Sequence, residues 1–136
     1  MKRPLETARR WLAQAEYSLR MTRSMVEGGF GAGACFHAEQ TAQLALKAFL
    51  FSAGRRFVNI HSVRELAINC SNHDQGFAAF VEYGLVLDRY YLPTRYPDVL
   101  PEPAVPFESF TRQDADQALE FVEETLELVR ANVADQ

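Results

Sequence analysis

A chain of 136 residues suffices for one domain with a buried core, here taken as residues 1–136, and a hydrophobic fraction of 48% excludes a disordered polymer. The best apolar stretch, Leu44 to Phe51, is broken by Lys47, which excludes a membrane span. The net charge of −4 excludes a protein that coats nucleic acid indiscriminately.

That net charge hides an asymmetry. Residues 1–64 hold ten Lys or Arg and four Glu, a balance of +6, whereas residues 65–136 hold four Arg and fourteen acids, a balance of −10. Such halves can face each other within the chain, meet across a dimer, meet a partner, or simply be solvated helix faces. At the N-terminus, Met1-Lys2-Arg3-Pro4 meets Glu6, Arg9 and Arg10 before any apolar segment, so no secretory signal is expected. Cys35 and Cys70 lack CxxC spacing and are expected to be reduced, buried thiols of a cytoplasmic protein.

The first helix is predicted to begin at Pro4, whose missing N–H costs nothing in a first turn. Leu5, Ala8, Leu12, Ala15, Leu19, Thr22 and Val26 then recur at steps of three and four, drawing one apolar stripe, which Trp11, Tyr17, Met21 and Met25 widen. Gly28-Gly29-Phe30-Gly31 should end it. No strand precedes this glycine run and no Gly-Lys-Ser/Thr follows, so it reads as a helix–helix turn and not a phosphate loop.

A second helix is predicted from Gly33 to Ala53, with Cys35, Ala38, Ala42, Ala45 and Phe49 as its stripe. The short connection makes it the antiparallel neighbour of the first. Ser62 and Glu65 have the spacing of a capping box and open a short third helix that fades near Asn69 to Asn72. A fourth is predicted from about Asp74 to Tyr91, with Phe77, Phe80, Val81, Gly84, Leu85 and Leu87 turned inward.

Leu92 to Phe110 holds Pro93, Pro97, Pro101, Pro103 and Pro106, a density that neither helix nor central strand tolerates. A loop of this length in a small domain is usually functional or disordered. Thr111 and Asp114 then cap a last helix running to about Val133, with Asp116, Glu120, Glu123, Glu124 and Glu127 on its outer face. The expected fold is all-α: an antiparallel up-and-down bundle of four long helices plus a short one, with a proline-rich loop before the last.

No metal or cofactor is expected. His37, His61 and His73 lack the i, i+3 or i, i+4 spacing that puts two ligands on one helix face. The stretch from Phe36 to Leu50 is more informative, with an aromatic at Phe36, glutamines at Gln40 and Gln43, and Lys47 followed by apolar residues. It resembles the second-helix signature of the HEPN domain, with Gln43 where that family generally has Glu. Trp11-Leu12, His61-Ser62-Val63 and Arg95-Tyr96-Pro97-Asp98 match further family elements in the right order along nearly the whole chain.

The resemblance implies a helical bundle that commonly dimerises and is often encoded beside a minimal nucleotidyltransferase, as a two-component pair of toxin–antitoxin character. Some members are metal-independent ribonucleases using an Arg-x4–6-His motif; others are non-catalytic or are proposed to bind nucleotides.

Arg55 and Arg56 precede His61 with five and four residues between them, so a catalytic Arg–His pair fits formally. Histidine would take the 2′-OH proton and guanidinium would hold the phosphate. The structural alternative places His61 at the helix cap. Arg89, Arg95, Tyr96 and Asp98 form a second candidate site for a nucleotide or a partner: a guanidinium fork for phosphate, with Tyr90, Tyr91 and Tyr96 as stacking faces. Here the alternative is an Arg–Asp pair that pins the loop. The leading expectation is a homodimeric interaction protein for a nucleotidyltransferase, binding a nucleotide or RNA end. The rivals are a metal-independent endoribonuclease toxin and a purely structural helical adaptor.

Overall fold

A computed structural model describes residues 3–134. Met1 and Lys2, which carry part of the N-terminal reading, lie outside them, as do Asp135 and Gln136. The elements are α1 (Pro4–Glu27), α2 (Gly31–Ser52), α3 (Val63–Ser71), α4 (Phe80–Leu87), α5 (Pro106–Ser109) and α6 (Arg112–Ala134), and no strand occurs among the described residues. No described helix is long and apolar enough to cross a membrane.

The architecture follows from α2. A helix apolar nearly all round can be stable only if it is surrounded, and α2 packs against α1 most extensively, then α6, then α3. Ala34, Ala38, Ala42, Ala45 and Ala48 are all essentially inaccessible, and their short side chains let the neighbouring helices approach closely. The α1–α2 seam also holds a small polar layer. The Ser18 and Thr41 hydroxyls are 2.6 Å apart, and each threonine hydroxyl of the layer returns a bond to its own helix, Thr41 to His37 O at 2.7 Å and Thr22 to Ser18 O at 2.9 Å.

Two ion pairs clip α1 to α6: Arg23 Nη2 lies 2.8 Å from Glu123 Oε2, and Arg130 Nη2 donates to Glu16 Oε2 at 2.6 Å. Moving back along α1 matches moving forward along α6, so the two run antiparallel. The Arg23–Glu123 pair joins a base of the basic half to an acid of the acidic half, whereas in Arg130–Glu16 the charges are reversed. Each pair is partly exposed, which limits its contribution to about 0–1 kcal/mol.

Three boundaries differ from the sequence reading. Helix α2 starts at Gly31 and not Gly33, because Gly29, at φ 81°, makes the turn alone. Gly31 is needed for a different reason: a Cβ there would lie 2.6 Å from the Phe110 carbonyl oxygen.

The fourth helix is shorter than Asp74 to Tyr91. Asp74 Oδ1 accepts from Gly76 N at 2.8 Å, and a 3-10 turn at Gln75–Phe77 precedes α4. A second 3-10 turn, Asp88–Tyr90, follows it, and Leu85 is half exposed instead of facing inward.

Thr111 and Asp114 do form a reciprocal cap, Thr111 N to Asp114 Oδ2 at 2.9 Å and Asp114 N to Thr111 Oγ1 at 3.0 Å. Between α4 and α6, the proline-rich segment carries a 3-10 turn at Pro97–Val99 and the single turn of α5. It is anchored by buried Pro106 and by Phe110, whose ring meets Tyr90 edge-on at 5.6 Å.

Candidate functional site

Glu39, Gln43 and Lys47 recur every four residues on α2 and so share one helix face. All three are buried. A buried polar group must be satisfied within the protein. Glu39 accepts from Gln40 Nε2 at 2.7 Å and from Gln43 Nε2, and the Lys47 ammonium stands 5.8 Å from the centre of the Trp11 ring.

Burial raises the Glu39 pKa above its ordinary 4.5, against the opposing effect of the two amides; nearby Asp88 raises it further and Arg95 lowers it. Burial likewise lowers the Lys47 pKa, with Glu39 opposing.

A carboxyl whose pKa is raised by folding binds its proton more tightly in the native state. Stability therefore falls as pH rises through the interval between 4.5 and the raised native value. Glu39→Gln removes that titration, so the variant should gain on the wild type as pH goes from about 4 to about 7. Urea midpoints at matched pH check this; a gap that stays constant across the range would rule it out.

Opposite this face, Asp88 closes the first turn of α3. Its Oδ1 accepts from Val63 N at 2.6 Å, while its Oδ2 accepts from Ser62 Oγ at 2.7 Å and from Arg64 N at 3.3 Å. Ser62 Oγ in turn accepts from Glu65 N at 3.1 Å. The helix start is therefore capped from two directions, and His61, immediately before it, is exposed.

The chain after α4 then folds over α2. Arg95 N and Tyr96 N both donate to Leu92 O at 3.0 Å, and Arg95 Nε donates to Tyr91 O at 3.0 Å. This places the guanidinium carbon 4.2 Å from the Phe36 ring centre and 4.9 Å from those of Tyr91 and Tyr96. A cation over ring faces is attracted by their negative π-systems.

Two adjoining hollows share Gln43, His61 and Tyr91. One, of about 360 Å³, adds Glu39, Ser62 and Asp88; the other, of about 430 Å³, adds Phe36, Gln40, Lys47 and Arg95. Together they form a groove with the Arg95 guanidinium, the Lys47 ammonium and the His61 imidazole on its walls, the Glu39 and Asp88 carboxyl groups in the first hollow, amides in between and aromatic faces at one side. The second hollow, which has no carboxylate among the described residues, can take an anionic group beside its aromatic faces.

The remaining sequence-derived candidates lie elsewhere. Tyr96 is half exposed beside Arg95, but Arg89 is exposed next to Tyr90 and lines neither hollow. Asp98 is exposed on the Pro97–Val99 turn and joins none of the ion pairs among the described residues, Arg95 included. Arg55 and Arg56 line a separate hollow with Trp11 and Phe51, and Arg55 Nη1 donates to Asn69 Oδ1 at 3.2 Å. His61 does not line that hollow. Asp88 and Glu39 line the candidate groove and are absent from the sequence reading's candidates. The i, i+4 row of polar residues in an otherwise apolar helix is the available signal for Glu39; Asp88 carries none.

The HEPN domain family model matches residues 8–132. Among solved structures, TT1696 from Thermus thermophilus is 35% identical with a TM-score of 0.84, covering 92% of this chain and 97% of its own. ST0689, described as an archaeal HEPN homologue, is 33% identical with a TM-score of 0.75, covering 98% and 99%. No match was found among curated proteins. With the family model spanning most of the chain and two such structural relatives over nearly its full length, the protein belongs to the HEPN domain family.

Proposed function

We propose that this HEPN protein is a non-catalytic interaction module, a cytoplasmic homodimer that pairs with a minimal nucleotidyltransferase in a two-component system of toxin–antitoxin character. In this reading the groove between α2 and the segment after α4 receives the phosphorylated end of a nucleotide or RNA.

The observation that carries the ligand is Arg95. Three aromatic rings and the Tyr91 carbonyl fix its guanidinium, and Nε is the nitrogen that hydrogen-bonds among the described residues. Nη1 and Nη2 keep their donors for phosphate oxygens, with Lys47 in the same hollow and Tyr91 as a stacking face. Family membership supports the partner and the dimer, as does half-exposed Tyr17 on α1.

Calorimetric titration with AMP tests the groove. Arg95→Ala should weaken binding about 10- to 100-fold, the equivalent of a lost charge-assisted hydrogen bond of about 1.5–3 kcal/mol. Its loss of stability should stay near 1 kcal/mol, as for an exposed cation–π contact. A sharp drop in melting temperature with unchanged affinity per folded molecule would instead make Arg95 a pin for the loop.

One observation favours an endoribonuclease: His61 lines the same hollow as Lys47 and Arg95, so a proton acceptor and phosphate-binding cations share one wall. RNA cleavage in EDTA that disappears in His61→Ala, with the variant still folded, would replace the interaction reading with that one.

A further inference from the structure

The hollow at the start of α1 is about 600 Å³ and lies within the range of small-molecule sites. Its composition divides by chemistry. One wall is aromatic: the indole of Trp11 and the ring of Phe51, 5.2 Å apart and tilted. The rim is cationic, with Arg55 and Arg56 just beyond the end of α2, and Thr7 adds a hydroxyl. No carboxylate lines it among the described residues.

Arg55 is oriented by its bond from Nη1 to Asn69 Oδ1 on α3. That bond engages one nitrogen of the fork and restricts the side chain, a partial preorganisation toward a planar anion. The indole also meets the Lys47 ammonium at 5.8 Å, so two residues of α2, Lys47 and Phe51, contact the ring.

We propose that this hollow is a second ligand site, independent of the Arg95 groove, for a small molecule that joins a planar ring to an anionic group. The ring lies against Trp11 and Phe51, and the carboxylate or phosphate reaches the Arg55 and Arg56 guanidiniums. Both halves are needed. An isolated anion has only the guanidinium groups to bind, whereas an uncharged ring gains only apolar contact.

Trp11 is the single tryptophan of the chain, so intrinsic fluorescence excited at the red edge of indole absorption reports on the surroundings of its ring, and the arginine substitutions assign the signal to this hollow. Titration with benzoate and with phenyl phosphate should change that emission saturably, and the tighter of the two identifies the anion as carboxylate or phosphate. Phenol, which lacks the charge, and inorganic phosphate or acetate, which lack the ring, should each bind at least about tenfold more weakly than the probe they resemble. Arg55→Ala and Arg56→Ala should each weaken the better probe by about tenfold or more, with melting curves confirming the fold, and Arg55→Lys should recover part of the loss. Arg95→Ala should leave the titration unchanged, which separates this site from the groove.

No saturable change with either probe would overturn the proposal. So would a change that survives both arginine substitutions, or one that disappears in Arg95→Ala.

Discussion

Replacing Phe77 with alanine should destabilise the protein by about 3–5 kcal/mol, the usual range for emptying a buried aromatic site. The Phe77 ring is wholly inaccessible, with the Phe49 ring centre 4.3 Å away and that of Phe80 at 5.9 Å. It projects from the 3-10 turn that joins α3 to α4, where few backbone bonds can hold the chain once the ring is gone. Collapse of the cavity is further hindered because Phe49 belongs to α2, which is fixed by three neighbours. Domains of this kind have about 5–15 kcal/mol of total stability, so the melting temperature should fall by roughly 10 °C or more. Phe107→Ala is the internal control: that ring is 75% exposed and its loss should stay within about 0.5 kcal/mol. Similar melting temperatures for the two variants would show that the Phe49–Phe77–Phe80 cluster does not hold α3 and α4 onto the bundle.

Gly84→Ala should be the second severe substitution, for the opposite reason. An added Cβ would lie 2.4 Å from both the N and Cα atoms of Arg64 and 2.9 Å from the Val63 carbonyl carbon. These are backbone atoms in the first turn of α3, so no side-chain rotation relieves the overlap, and α3 and α4 must separate. Overpacking of this kind costs about 1–3 kcal/mol and occasionally more. Separation also strains the three bonds that the Asp88 carboxylate accepts from Ser62, Val63 and Arg64, which places the loss at or above the upper end. Gly76→Ala offers the comparison. Its added Cβ would meet the Asp74 carboxylate at 3.1 Å and Leu128 methyls no nearer than 3.5 Å, all on side chains that can move. Chemical denaturation of both variants should rank Gly84→Ala well below Gly76→Ala; equal midpoints would mean that α4 shifts along α3 at little cost.

How much of this is legible in the sequence depends on whether a residue acts within its own helix. The stripes of α1, α2 and α6 can be read because alternation of three and four is a property of each segment alone. The Thr111–Asp114 cap is legible for the same reason, its partners being three residues apart. The fourth helix is overextended in the sequence reading because residues 74–91 have a continuous apolar pattern. The helix is cut short at its start by the Asp74–Gly76 turn, and it ends where Asp88 accepts bonds from α3, twenty-five residues away from Val63 in sequence.

The candidate site divides in the same way. Gln40, Lys47, His61 and Arg95 stand out through local motifs, and the structure brings them to one hollow. The placement of Arg95 over Phe36 cannot be read, since it joins α2 to a loop that begins after two intervening helices. Spacing alone groups Arg55 and Arg56 with His61, yet the turn after α2 sends them to another face.

The two thiols make the bundle a reporter of its own opening. Cys35 and Cys70 have no accessible surface, and burial pushes both up to about 12, so the reactive thiolate is scarce in the closed molecule at any ordinary pH. Their modification by a thiol reagent must await exposure, and its rate measures how often each neighbourhood opens. The neighbourhoods are distinct. Cys35 sits on α2 beside Tyr90, while Cys70 donates its S–H to the Leu46 carbonyl, about 16 Å further along the same helix at about 1.5 Å per residue. Equal labelling rates mean that α2 is released all at once; unequal rates show which end of the bundle lets go first.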